Sequence, residues 1–201
     1  MSRLNATQSR QSAGALCVLL AAGAHHWMES SMLTHMLLQL PLLVLAGWLL
    51  LGRSRRLSRV ATVDEYGLTV LTGTVLVGAY WMIPRALEQS INEALPEAAK
   101  FASLMLCGAL LPGALRRARL VIQLFFLGNF CWMTAIVGIQ YQDMPQRLCN
   151  AYLLDDQLMT GIGLVIASVL IAILWCVRHA PALLSNPTTT APHHASPGTE
   201  S

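Results

Sequence analysis

The chain has 201 residues, 55% of them hydrophobic and only 11% charged, against about a quarter charged in an ordinary soluble domain. Long uncharged runs and a mean hydropathy of +0.54 describe a small multi-pass membrane protein rather than a soluble domain. The net charge of +3, with arginines set beside apolar runs and no basic stripe, RNA motif or DNA-reading helix, excludes a nucleic-acid partner.

Residues 1–11 are polar and carry Arg3 and Arg10; an apolar run of 12 residues follows at 13–24. Such a run is too short to cross a bilayer, which takes about 20 residues. It matches a signal peptide, with Ala22-Gly23-Ala24 as an A-x-A cleavage site. Cleavage there makes His25 the mature N-terminus, with amine and ring both available to one metal. The competing reading retains residues 1–24 as a short first helix, extended through Trp27.

Residues 32–51 form the first clear span, followed by Arg53, Arg55, Arg56 and Arg59. The next covers 66–84, with Trp81 as an interface anchor. A polar segment, 85–100, holds Glu88, Glu93 and Glu97 and reads as a solvated interfacial helix. A weaker span at 101–115 ends near Pro112-Gly113, and Arg116, Arg117 and Arg119 come next. Residues 120–140 span again, with Asn129 in mid-span expected to bond across helices. The loop 141–157 carries Met144, Arg147, Cys149, Asn150, Asp155 and Asp156, and 158–177 is the last span. Residues 178–201, rich in Pro, Thr, Ser and His, are expected to be a disordered cytoplasmic tail. The expected fold is an all-α polytopic transmembrane bundle over residues 25–177, with six helices, or five after cleavage.

Alternating the loops puts ten basic residues on one side and three (Arg85, Lys100, Arg147) on the other. By the positive-inside rule the basic side is cytoplasmic. Seven of the ten acids then share the outer side with residues 25–39 and Cys149. Five cysteines without a C-x-x-C pair argue against a disulfide framework. A lone Cys149 thiol in an oxidising compartment is expected to be buried, paired or bound to metal.

The chemistry concentrates in His25-His26-Trp27-Met28-Glu29-Ser30-Ser31-Met32 and on to Gln39. On one continuous helix His25, Met28, Glu29, Met32, His35, Met36 and Gln39 fall within about 120° of one another. A turn near Ser30-Ser31 instead folds His25 and His26 back toward His35 and Met36. Imidazole with thioether is a donor set suited to copper, Met favouring the cuprous ion. The candidate ligands are His25, His26, Met28, Met32, His35 and Met36, with Cys149 as an extra soft donor. The bland alternative is interfacial histidine with methionine filling packing gaps. A bis-histidine haem is disfavoured: no histidine lies deep in another span, and axial ligation needs rings on opposite faces. Nucleophile elbows, Walker loops, H-E-x-x-H and G-x-G-x-x-G are missing, so no enzyme is expected.

The run Met32-Leu33-Thr34-His35-Met36-Leu37-Leu38-Gln39-Leu40-Pro41-Leu42-Leu43-Val44-Leu45-Ala46-Gly47 resembles the His-Met signature of the CtaG family of caa3-type cytochrome oxidase assembly proteins. His35 and Met36 match the second His-Met pair of that signature, and Pro41, Leu42 and Leu43 its P-L-L. Ser31-Met32 stands where the first His-Met belongs, and His25 and His26 are candidates to replace the missing ligand. The resemblance covers about 20 residues and implies a multi-pass bacterial inner-membrane protein that helps make or metallate a haem-copper oxidase. Its partners would be membrane lipids, an oxidase subunit or a periplasmic copper chaperone. The alternatives are a non-catalytic membrane subunit of a larger complex and a small permease.

Overall fold

The computed structural model describes residues 2–52, 64–146, 148 and 152–184. Among these there are eight helices and no strands: α1 (Ser2–Gly23), α2 (His25–Met28), α3 (Met32–Leu51), α4 (Leu68–Trp81), α5 (Pro84–Asn92), α6 (Ala94–Arg117), α7 (Leu120–Asp143) and α8 (Leu154–Leu184). The all-α transmembrane bundle read from the sequence is the fold found. Helices α3, α6, α7 and α8 are long and apolar enough to cross a membrane. The pair α4 and α5, bent by 74° at a short break, makes a fifth span if taken together. Helix α1 is long enough but half polar, so the described residues hold eight helices and four or five spans where six helices were expected.

Chain direction alternates through the bundle. Gly14 of α1 packs on Leu49 and Leu50 of α3, while Ala21 accepts from the Gln39 side chain, so the two helices run antiparallel. Helices α3 and α6 run parallel and touch backbone to backbone. A Cβ on Gly47 would stand 2.0 Å from the Met105 carbonyl oxygen, and one on Gly108 would stand 1.8 Å from that of Val44. Between apolar helices in lipid, such close approach supplies the dispersion contact that water-driven burial supplies in soluble proteins. Helix α4 returns against α6, its Val70 and Leu71 packed with Ala114 and Ala118, and Trp81 donating to Ser103 at 3.0 Å. Tyr141 near the end of α7 donates to the Met82 carbonyl at 2.7 Å, fixing the α4–α5 bend. Two polar ends result. One gathers residues 25–39, the start of α6 and the α7–α8 connection; the other gathers Arg10, Gly52, Asp64 and Arg117.

Three expectations are corrected. The segment 85–100 is not one interfacial helix: α5 closes at Asn92, and α6 begins at Ala94 rather than at Phe101. Pro96 sits in the first turn of α6, where a missing N–H costs nothing. Lys100 therefore lies inside a membrane-length helix instead of in a loop. Asn129 lies on the exposed face of α7 and makes no cross-helix hydrogen bond among the described residues. Helix α8 runs on through Pro181 to Leu184, past the expected boundary at 177; residues 185–201 lie outside the described chain.

Candidate functional site

The segment that carries the His and Met residues is broken, not continuous. Helix α2 stops at Met28, and Glu29–Ser31 form a turn before α3 begins. The hydroxyl of Thr34 donates to the Met28 carbonyl at 2.6 Å, an acceptor left free by the turn, and also lies 3.0 Å from the Ser31 carbonyl. Within α3 the stretch His35–Gln39 is a π-helical turn, with the Leu40 N–H bonded to the His35 carbonyl. Pro41 explains the widening: it has no N–H for the Leu37 carbonyl, and its ring crowds that oxygen in a regular α turn. The widened turn lets the adjacent His35 and Met36 both face the interior, together with Gln39.

Around this turn stands a closed polar cluster centred on Lys100. Lys100, His35 and Gln39 are each 0% exposed, and the Glu29 side chain is 9% exposed. The Lys100 ammonium donates to Glu29 Oε1 at 2.9 Å and to Gln39 Oε1 at 3.2 Å, and lies 3.0 Å from His35 Nε2. An ammonium has three hydrogens and no acceptor, so all three are used and His35 Nε2 receives one of them. That fixes the neutral tautomer with hydrogen on Nδ1, which donates to the Tyr152 hydroxyl at 2.8 Å. The Gln39 amide nitrogen donates to Glu29 Oε1 and to the Ala21 carbonyl, each at 3.3 Å. One carboxylate and one ammonium leave the cluster neutral, the condition under which a buried ion pair is tolerated. Its members come from α1, the α2–α3 turn, the π turn, α6 and the α7–α8 connection. Beside Tyr152, Gln157, 2% exposed, accepts from the Leu148 N–H at 2.9 Å and donates to the Tyr141 carbonyl at 3.1 Å.

The predicted ligands separate into three groups. Met28, Met32, His35 and Met36 are buried at this end of the bundle. Met32 and Met36 pack in one apolar cluster with Leu87, Tyr141, Tyr152 and Leu164. His25 and His26 are exposed, and the His25 ring bonds the Ala22 carbonyl at 2.7 Å. The turn at Ser30-Ser31 thus exists without folding the first histidine pair onto His35. Cys149 lies outside the described residues, whereas Cys17, Cys107, Cys131 and Cys176 are free thiols.

Sequence reasoning missed Lys100 and Tyr152 and placed Glu29 and Gln39 on the correct face without giving them a task. One signal was available: Lys100 is the only lysine in a chain otherwise furnished with arginine. Among the described residues no group of three His, Cys, Asp or Glu side chains is disposed to hold a metal ion. A cation at His35 Nε2 requires the ammonium to leave, while the three buried thioethers carry no such restriction. No protein-family model, curated protein or solved structure is matched by this chain.

Proposed function

We propose that this protein holds copper at the end of the bundle built from residues 25–39. It passes the ion by ligand exchange to a haem-copper oxidase or another periplasmic copper enzyme, with no turnover of its own. The observation that carries the reading is the collection of His35, Met28, Met32 and Met36 in the interior at one end of a membrane bundle. Soft thioether and imidazole donors withdrawn from water suit a cuprous ion. The local resemblance of residues 32–47 to the oxidase-assembly signature supports the same function. Arg10, Arg116 and Arg117 collect at the opposite end, which favours a bacterial inner-membrane orientation with the His/Met end on the periplasmic side. The test is a Cu(I) titration of the purified protein beside a His35→Ala, Met36→Ala chain. The natural chain is expected to bind one ion and the variant to bind it far more weakly. Equal stoichiometry and affinity end the proposal.

A second reading rests on Asn129. Asn129 is exposed in the middle of a membrane-length helix and has no hydrogen-bond partner among the described residues. A neighbouring chain supplies one if the protein is a non-catalytic subunit of a larger complex. Asn129→Leu is then expected to weaken co-purification of a partner without affecting copper. Retention of an unchanged set of partners by Asn129→Leu removes this reading.

A further inference from the structure

A groove on the outside of the bundle runs toward the end opposite residues 25–39. It follows the seam of α3 and α6, has a volume of about 350 Å³, and is lined by apolar side chains. Pro41, Leu45 and Trp48 supply one wall; Gly108, Pro112 and Leu115 supply the other. Each set is spaced i, i+4, i+7, so each wall is one helix face about two turns long. Glycine and proline keep the α6 wall low, and Leu45, Trp48 and Leu115 are exposed along the rim.

Both walls end in a guanidinium. Arg116 follows Pro112 by one turn on the same face of α6, is exposed, and pairs with no acid among the described residues. Its neighbour Arg117 differs, being held by Asp64. On the α3 side Arg10 donates to the Trp48 carbonyl. A Cβ on Gly52, one turn past Trp48, would stand 3.2 Å from the Arg10 guanidinium and 3.0 Å from the Trp48 ring, so charge and indole lie side by side. An apolar trough that stops at two cations and a tryptophan matches an amphiphile with a negative head. A partner helix fits less well, since over two turns it occupies on the order of 1,000 Å³.

We infer that the groove seats one acyl chain of an anionic phospholipid, whose headgroup phosphate is bound by Arg116 and Arg10 beside Trp48. Guanidinium groups take phosphate oxygens in paired hydrogen bonds, and the acyl chain covers the apolar floor between α3 and α6. The site is independent of the copper reading, because its residues lie outside the His/Met cluster.

The test is native mass spectrometry of the full-length protein released from detergent micelles that contain dioleoyl phosphatidylglycerol or dioleoyl phosphatidylcholine. The two lipids share acyl chains and a phosphate; choline sets a cation beside the phosphate and removes the net charge. One phosphatidylglycerol per chain is expected to be retained, with phosphatidylcholine about tenfold weaker. Arg116→Gln is expected to weaken phosphatidylglycerol retention about fivefold. Arg178→Gln, at the exposed arginine of α8, is expected to change nothing. Leu45→Trp fills the groove and is expected to weaken retention severalfold. Equal retention of the two lipids overturns the proposal. So does an equal loss in Arg116→Gln and Arg178→Gln, which marks diffuse surface charge. Unchanged retention in Leu45→Trp overturns the acyl-chain seat. Lipid-free dimers that Leu45→Trp disperses overturn it too and assign the groove to a second copy of the chain. The lipid comparison uses the natural chain and stands whether or not a variant folds.

Discussion

The two ends of the bundle solve the same problem differently. At one end Asp64, 5% exposed, accepts from the Thr69 and Val70 backbone N–H groups at 3.1 and 3.2 Å and so caps α4. Gly67 turns the chain there at φ +74, in the left-handed region that favours glycine. Arg117 donates to the Asp64 carbonyl at 2.9 Å, and its guanidinium lies 3.7 Å from the carboxylate. Every group in that knot finishes a helix or a turn. At the other end Lys100 bonds only side chains, each of which accepts through an oxygen or nitrogen lone pair. A polar group that serves the backbone is part of the scaffold. One that serves only other side chains leaves the backbone bonds in place when it is replaced together with its partner.

Substitutions at the two ends sharpen this contrast. Lys100→Ala leaves Glu29 buried without its cation, and removing one partner of a buried pair costs about 3–5 kcal/mol. The expected result is a large fall in thermal stability in detergent, or failure to fold. Adding Glu29→Gln to Lys100→Met removes both charges and is expected to recover most of the loss. Asp64→Ala forfeits two cap hydrogen bonds and the Arg117 contact, for about 2 kcal/mol. Here the companion change Arg117→Met is expected to recover nothing, because the lost partners are backbone N–H groups. Recovery at the Asp64 end, or none at the Lys100 end, would break the distinction drawn between them.

How much of this was legible beforehand follows from the kind of signal each feature leaves. Apolar runs set the bundle and its spans, because hydropathy integrates over a whole helix. Of the seven-residue stripe, Met28, Glu29, Met32, His35, Met36 and Gln39 are buried or half-buried even though the helix is interrupted at Ser30-Ser31, while His25 is exposed. What hydropathy hid was the start of α6. Glu97 and Lys100 dilute the window, so the apolar run begins at Phe101 while the helix begins at Ala94. The bonds that bring Lys100 and Tyr152 into the cluster join residues 61 to 117 apart along the chain, and local spacing carries no trace of those. The π turn was signalled only by Pro41, whose missing N–H marks a perturbed turn without saying which way it relaxes.

Tyr152→Phe probes the edge of the cluster with a smaller effect. The hydroxyl is the partner of His35 Nδ1, and Tyr152 itself is buried. Its loss leaves a buried ring N–H unsatisfied, at about 1–2 kcal/mol. That is less than at Lys100, because no charge is stranded. Under the copper reading the ring is also less firmly oriented, so Cu(I) affinity is expected to fall. At the periphery, His25→Ala with His26→Ala removes only exposed rings, and the melting temperature is expected not to move. If that double change abolishes Cu(I) binding while Tyr152→Phe leaves it intact, the ligands are the exposed pair. The enclosed cluster is then scaffold after all, in the same sense as the Asp64 knot.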